Sequence, residues 1–429
     1  MNKLITLIFT IIVGSPLYSQ SFDYYKIGDT TNVNVNHNFG ICLMGGATEN
    51  EDGATWFLNN SGGGNIVVLR ASGGDGYQNY FYSDLGVSVQ SVETIVFNDI
   101  SASNDPFVLD RIEKAEAIWI AGGDQYAYET LWKGNAVETL INNHINVKQA
   151  PIGGTSAGMA ILGDYYFSAE NGTITSNEAL NNPFDLNLTI GSAFIQTPFL
   201  ENTITDTHYD NPDRKGRHLT FIARMLNNNS NEDYFGIASD EFVAICIDSN
   251  GIAQVFGEHP EYDDNAYFLR TNCQRATPAV IQADTPLTWE VNDGAVIVCN
   301  IKGTIDGSNK FDLNQWLDII GGTWEEWSVD QGNLTSQNVQ FNGCTSLVDN
   351  NNIINEELIV YPNPTSSSIN VKVDAKIKSI EVLDANGKVL TSNNYSTKIS
   401  LEDITNGIYT LRIKTTEDLI LHKKFTLIN

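Results

Sequence analysis

Between residues 39 and 160, five short apolar runs recur at intervals filled by polar or helix-like segments. They are "FGICLMGG" (39–46), "NIVVLRASGG" (65–74), "SVETIVFND" (91–99), "AEAIWIAGGD" (115–124) and "VKQAPIGG" (147–154). Nearly continuous apolarity marks strands buried on both faces, and alternation with helices such as "FVLDRIEKA" calls for parallel strands joined by crossovers. The expected fold class is α/β, a mostly parallel sheet sandwiched by helices. In such sheets ligands gather beyond the carboxyl ends of the strands. Two of the runs end there in "GGD" and "GGTSAG".

From about residue 236 the pattern turns to β, with "GIASDEFVAICIDSNGIAQVFG" and "LTWEVNDGAVIVCNIKG" and a hairpin turn at Asp248–Gly251. A final segment has short alternating strands with Asn-Gly turns, the pattern of a small β-sandwich. The expected domains are a signal peptide at 1–20, a main domain at 21–345, a linker at 346–357 and the small domain at 358–429. Within the main domain, the core spans about 38–260 and a β-rich extension 260–345. The first twenty residues, "MNKLITLIFTIIVGSPLYSQ", carry one early lysine, an apolar run, then Pro and small or polar residues, as an export signal does. No later run approaches the ~20 apolar residues of a membrane span.

The chain carries a net charge of −28. Residues 358–429 hold nine Lys or Arg against seven Asp or Glu, so residues 4–357 carry −31 once the lysine of the leader is set aside. Such a body repels nucleic acid and anionic lipid, which excludes both as expected partners. Of the five cysteines, Cys42, Cys246 and Cys299 lie in apolar runs and read as buried thiols. Cys273 and Cys344 lie in polar segments, and export would permit them to pair. No Cys/His cluster has metal-ligand spacing, and no metal or organic cofactor is expected.

Gly154-Thr155-Ser156-Ala157-Gly158 fits GxSxG, in which small neighbours let a serine sit on a tight strand-to-helix turn. Ser156 is then either a nucleophile or a small residue in that turn. A nucleophilic hydroxyl needs a base, and His208 and His259 are the stronger candidates. Ser156 with Glu241 or Asp248 and His259 would follow the α/β-hydrolase order. Ser156, His208 and Glu241 is the other arrangement. Chain order alone cannot choose. The segment "DTHYDNPDRKGRHLTFIARM" (206–225) places Asp206, Arg214 and Arg217 around His208, the makings of an anion pocket.

Four stretches taken together resemble the cyanophycinase and dipeptidase E family of serine peptidases. They are Gly122-Gly123-Asp124-Gln125, the Gly154–Gly158 elbow, Asp206-x-His208 followed by Arg214 and Arg217, and Gly236-Ile237 followed by Asp240-Glu241. The resemblance implies a class I glutamine amidotransferase-like fold. It also implies Ser156 as nucleophile, His208 as base and acid, and Glu241 as its orienting partner. Ala157 and Gly123 would supply oxyanion-hole N–H groups, and Gln125, Asp206, Arg214 and Arg217 would bind substrate. Thr207, Pro212 and Met159 depart from the family's pattern and leave the substrate open: cyanophycin, cleaved to β-Asp-Arg, or another Asp-containing peptide. A binding protein that has lost turnover is the competing class, and a homodimer is in keeping with the family. The tail motifs "YPNPTSSSINV", "VLDANGKVL", "ITNGIYTLRI" and "KFTLIN" resemble the C-terminal sorting domain of the type IX secretion system of Bacteroidetes. They imply secretion to the exterior or the cell surface, with the secretion machinery as a partner.

Overall fold

The computed structural model describes residues 20–292, 294–344, 359–373, 376–384, 388–402, 404–416 and 420–428. The expected leader at 1–20 and linker at 346–357 lie, but for Gln20, outside the described residues. Two compact units divide the chain, one within 1–346 and one within 347–429.

In the first unit, chain order gives β1 (Phe22–Gly28), β2 (Ile41–Met44), α1 (Glu51–Asn60), β3 (Asn65–Arg70), α2 (Tyr77–Asn79), β4 (Ser91–Phe97), α3 (Pro106–Lys114), β5 (Ala117–Ile120), α4 (Gln125–Trp132) and α5 (Ala136–Asn146). Then follow β6 (Ile152–Thr155), α6 (Ala157–Ala160), β7 (Tyr165–Phe167), α7 (Ser176–Asn181), β8 (Ile190–Ser192), β9 (Thr203–Asp206) and α8 (Lys215–Asn228). β10 (Phe235–Ser239), β11 (Ala244–Ile247), β12 (Ile252–Phe256) and β13 (Asn265–Thr271) complete the part that frames the site.

The five apolar runs are the parallel centre of a ten-stranded sheet, in the order β4-β3-β5-β6-β2. Antiparallel strands extend it on both sides, β1 beyond β4 and β11-β12 beyond β2. The residues of β2, β5 and β6 are all buried, as strands covered on both faces must be. One face, with Met44, Val68 and Trp119, packs on Phe57 and Leu58 of α1. The other, with Ile41, Leu43, Val67, Leu69 and Ile118, packs on α3, α4 and α5 and on a second sheet through Ile237 and Phe268.

This second sheet was not expected from sequence. It has eight strands, with β8-β7-β9-β10-β13 at one side and Val296–Lys302, Gly322–Asp330 and Asn333–Val339 beyond. Its parallel part is β7-β9-β10, and α8 covers its outer face through Leu219, Ile222 and Ala223. Residues 260–345 therefore add strands to both sheets. A disulfide joins Cys273 to Cys344. Cys42, Cys246 and Cys299 are buried free thiols, and Cys42 faces Cys246 across paired strands.

In the second unit, Ile359–Tyr361, Ser368–Lys372 and Lys398–Ser400 form one antiparallel sheet. Val389–Asn394, Ile377–Leu383, Gly407–Thr415 and Ile420–Leu427 form another. Ile369, Ile399, Ile380, Leu411 and Phe425 share one core, so the unit is the small β-sandwich expected from its turns. No helix among the described residues is long and apolar enough to cross a membrane.

Candidate active site

The carboxyl ends of both sheets' parallel strands meet at one place. Ser156 follows β6 directly and precedes α6, with φ 53° and ψ −117°. A side chain in this region costs about 1–3 kcal/mol and persists only where its surroundings impose it. The imposing contacts are tight. A Cβ on Gly158 would lie 2.1 Å from the Ile120 carbonyl oxygen, and one on Gly154 2.6 Å from the Gly158 carbonyl carbon. Only glycine lets α6 approach β5 and double back on β6.

His208 lies just past β9, also at positive φ (47°), and Glu241 lies just past the neighbouring parallel strand β10. The His208 Nε2 is 2.9 Å from Ser156 Oγ, and its Nδ1 is 2.6 Å from Glu241 Oε1. The hydrogen bond with His208, helped by one from Asn211 Nδ2 to Oε2, holds the Glu241 carboxyl below its ordinary value. An anionic Glu241 accepts the Nδ1 proton and leaves Nε2 as the lone-pair nitrogen facing the serine. The arrangement can deprotonate a hydroxyl and stabilise the imidazolium that results.

The end of β2 holds the three segments together. Met44 carbonyl accepts from Ser156 N–H at 3.0 Å, Gly45 carbonyl from His208 N–H at 2.8 Å, and Gly46 carbonyl from Phe242 N–H at 3.2 Å. Gly46, at φ 110°, packs flat under the imidazole, where a Cβ would lie 2.4 Å from Nε2. Asp210 Oδ1 fixes the Glu241 N–H at 2.9 Å. Sequence reading missed Gly45, Gly46, Asp210 and Asn211. The Gly-Gly at the end of an apolar strand was the one available signal.

A pocket of about 200 Å³ opens beside Ser156 and is lined by eight of the nine residues singled out from sequence: Gly123, Gln125, Ser156, Ala157, Asp206, His208, Arg214 and Arg217. Glu241 stands behind His208. The charged residues divide. Arg217 grips Asp206 with two hydrogen bonds, Nε–Oδ2 at 2.8 Å and Nη2–Oδ1 at 2.5 Å. Their side chains are only 4% and 3% exposed. Burial pushes the Asp206 carboxyl up, but the pairing with Arg217, with help from His218 and Arg214, brings it below its ordinary value. Arg214 donates from Nη1 to the Thr207 carbonyl at 2.9 Å, stands 4.0 Å from Asp206, and keeps an unpartnered Nε. Burial and the neighbouring Arg217 hold its guanidinium below the ordinary value. Gln125 donates to the Phe167 carbonyl at 3.1 Å. The cationic group still open to a ligand in this pocket is thus Arg214.

Two buried histidines of the first unit are placed elsewhere. His144 Nε2 meets the Pro151 carbonyl at 2.9 Å, and burial lowers its pKa to about 3. His218 lies between Tyr209 and the Ile204 carbonyl, lowered by burial to about 4. Asp248, the alternative partner for His259, caps its hairpin turn through the N–H groups of Asn250 and Ile252. Among the described residues no group of three or more His, Cys, Asp or Glu could hold a metal ion.

Residues 75–250 match peptidase family S51, and residues 359–427 match the secretion system C-terminal sorting domain. Cyanophycinases of Synechococcus elongatus and Thermosynechococcus vestitus are each 25% identical over 240 residues, covering 54% of this chain and 69% of theirs. A solved peptidase from an acI-B1 actinobacterium aligns at a TM-score of 0.38 with 13% identity, over 52% of this chain and 90% of its own. The chain thus carries a region matching peptidase family S51 and a C-terminal sorting domain that indicates type IX secretion to the cell surface or the extracellular space.

Proposed function

We propose that this peptidase is a serine-type hydrolase acting through Ser156, His208 and Glu241, and that it cleaves peptide bonds at aspartyl residues. The observation that carries the reading is the unbroken relay from Glu241 Oε1 through both imidazole nitrogens to Ser156 Oγ. Ser156 Oγ attacks the carbonyl carbon as His208 Nε2 takes its proton, and Glu241 stabilises the imidazolium. The backbone N–H of Ala157, with that of Gly123 across the pocket, faces the developing oxyanion. The C–N bond breaks as His208 returns the proton to the leaving amine. Water then resolves the acyl-enzyme by the same route.

For the substrate, Arg214 receives the one carboxylate next to the scissile bond, and Gln125 and the Asp206–Arg217 pair shape the wall around it. The substrate is cyanophycin-like, a polymer with arginine joined to aspartyl side chains, released as β-Asp-Arg dipeptides. The strongly acidic body supports a substrate rich in guanidinium groups. An aspartyl dipeptidase or isopeptidase is the second reading. It is favoured by Pro212, which departs from the arginine that the family resemblance would put there, since one lost guanidinium removes ~1.5–3 kcal/mol of charge-assisted hydrogen bonding. On this account the main domain runs over 21–345, after a leader removed on export.

The test is release of new amino groups from insoluble cyanophycin and from a panel of Asp-X and β-Asp-X dipeptides, with Ser156→Ala as control. β-Asp-Arg release lost in the variant supports the first reading. Dipeptide cleavage alone moves the substrate to the second. Activity retained by Ser156→Ala overturns both.

A further inference from the structure

The end of α8 away from the active site carries a second arginine, Arg224. It lies seven residues past Arg217, about 10 Å farther along the helix axis. Its Nη1 donates to the Leu188 carbonyl at 2.8 Å, its guanidinium lies over the Phe184 ring at 4.7 Å, and its buried Nε has no hydrogen-bond partner. Several other arginines of the chain are paired with carboxylates, as in Arg217–Asp206, Arg275–Asp233 and Arg111–Asp110. Arg224 has no such partner among the described residues, and burial alone, with nothing to offset it, holds its guanidinium below the ordinary value.

This arginine opens on a cavity of about 320 Å³, lined also by Tyr165, Tyr234, Ser192, Asn228 and Asn229. Burial raises both tyrosine hydroxyls, so they stay protonated and able to donate at neutral pH. The nearby Asp164 carboxylate is turned to the Asn202 N–H, which it accepts at 2.9 Å. The cavity shares no residue with the active-site pocket. The Glu232 carboxylate also acts on both tyrosines, but neither it nor Asp164 is paired with Arg224, so the half-buried cation lacks an anion that accepts from it. A planar guanidinium held on one side by a carbonyl presents its remaining N–H groups in the fork that fits a carboxylate.

We propose that this cavity is a second binding site, for a small carboxylate-bearing molecule of about amino-acid size. The ligand's carboxylate meets Arg224 and its neutral body lies between the two tyrosines and the Asn228–Asn229 rim.

The experiment titrates the full chain with N-acetylglycine, and separately with inorganic phosphate, by calorimetry. Arg224→Gln removes the fork. Asn228→Leu fills the mouth of the cavity from an exposed helix position and keeps the test open if the first variant fails to fold. The expected result is saturable binding of N-acetylglycine with a Kd on the order of 1 mM. One such binding event persists in Ser156→Ala and Arg214→Ala, and it is weakened at least tenfold by either Arg224→Gln or Asn228→Leu. The proposal is overturned by no binding to the unmodified protein, by undiminished binding in the cavity variants, or by loss in Arg214→Ala. Binding of phosphate without the carboxylate also overturns it.

Discussion

Replacing Arg217 by methionine tests whether the Asp206–Arg217 pair is a wall of the pocket or a direct substrate contact. Both side chains are almost wholly buried, 4% and 3% exposed, and joined by two hydrogen bonds. Solvent therefore screens little of the interaction. Removing the guanidinium strands Asp206 as a buried carboxylate, a change that costs about 3–5 kcal/mol. That is a large share of a typical 5–15 kcal/mol stability. Asp206→Asn/Arg217→Met removes both charges and should lose less than Arg217→Met alone. The pH dependence has a defined sign. The folded-state pKa of Asp206 is depressed, so its contribution is present above the unfolded value of ~3.9 and lost as pH falls through the folded value. In Arg217→Met the stranded carboxyl can take up a proton, so the gap to the unmodified protein should narrow from pH 7 to pH 4. Urea unfolding followed by tryptophan fluorescence reads this in the first unit alone, because all seven tryptophans lie between Trp56 and Trp327. An Arg217→Met protein within 1 kcal/mol of the original, yet inactive, would refute the reasoning and return Arg217 to the substrate.

Three further outcomes follow from the same geometry. Burial raises Asp240 to about 7, with Oδ2 bonded to Asn265 and Oδ1 unpartnered. Its stabilising protonated form is complete below ~3.9 and lost as pH rises to about 7, so Asp240→Asn should gain up to roughly 4 kcal/mol over the original at pH 8 and little at pH 4, read by urea melts. Gly158→Ala sets a Cβ 2.1 Å from a carbonyl oxygen. It should destabilise by at least about 1–3 kcal/mol and abolish activity, read by melting and peptide hydrolysis. Under denaturing, non-reducing conditions a thiol reagent should titrate three cysteines per chain, since Cys42, Cys246 and Cys299 are free and Cys273 is joined to Cys344.

The central sheet was legible because its strands are buried on both faces and so appear as unbroken apolar runs, each within a few residues of its observed limits. The second sheet was not. Its parallel strands β7 and β9 are short, "YYF" and "TITD", and neither stands out from the surrounding polar chain. β13 is buried throughout but sits between loops that hide its pattern. Within the site, the family resemblance named Ser156, His208 and Glu241 without showing what brings them together. That depends on the carbonyls of Met44, Gly45 and Gly46, which carry no side-chain signature. Spacing also placed Asp206, Arg214 and Arg217 in one segment but could not tell which charges cancel. β9 delivers Asp206 and the first turn of α8 delivers Arg217 to the same point, leaving Arg214 alone to face a ligand.

The most direct test of the proposed relay is covalent labelling with a fluorophosphonate, mapped by peptide mass spectrometry. The account predicts one adduct, on Ser156, formed at full rate by the unmodified protein. Labelling should be slowed at least a hundredfold in His208→Ala and absent in Ser156→Ala. A folded protein that takes no label at Ser156, or labels equally fast without His208, contradicts it.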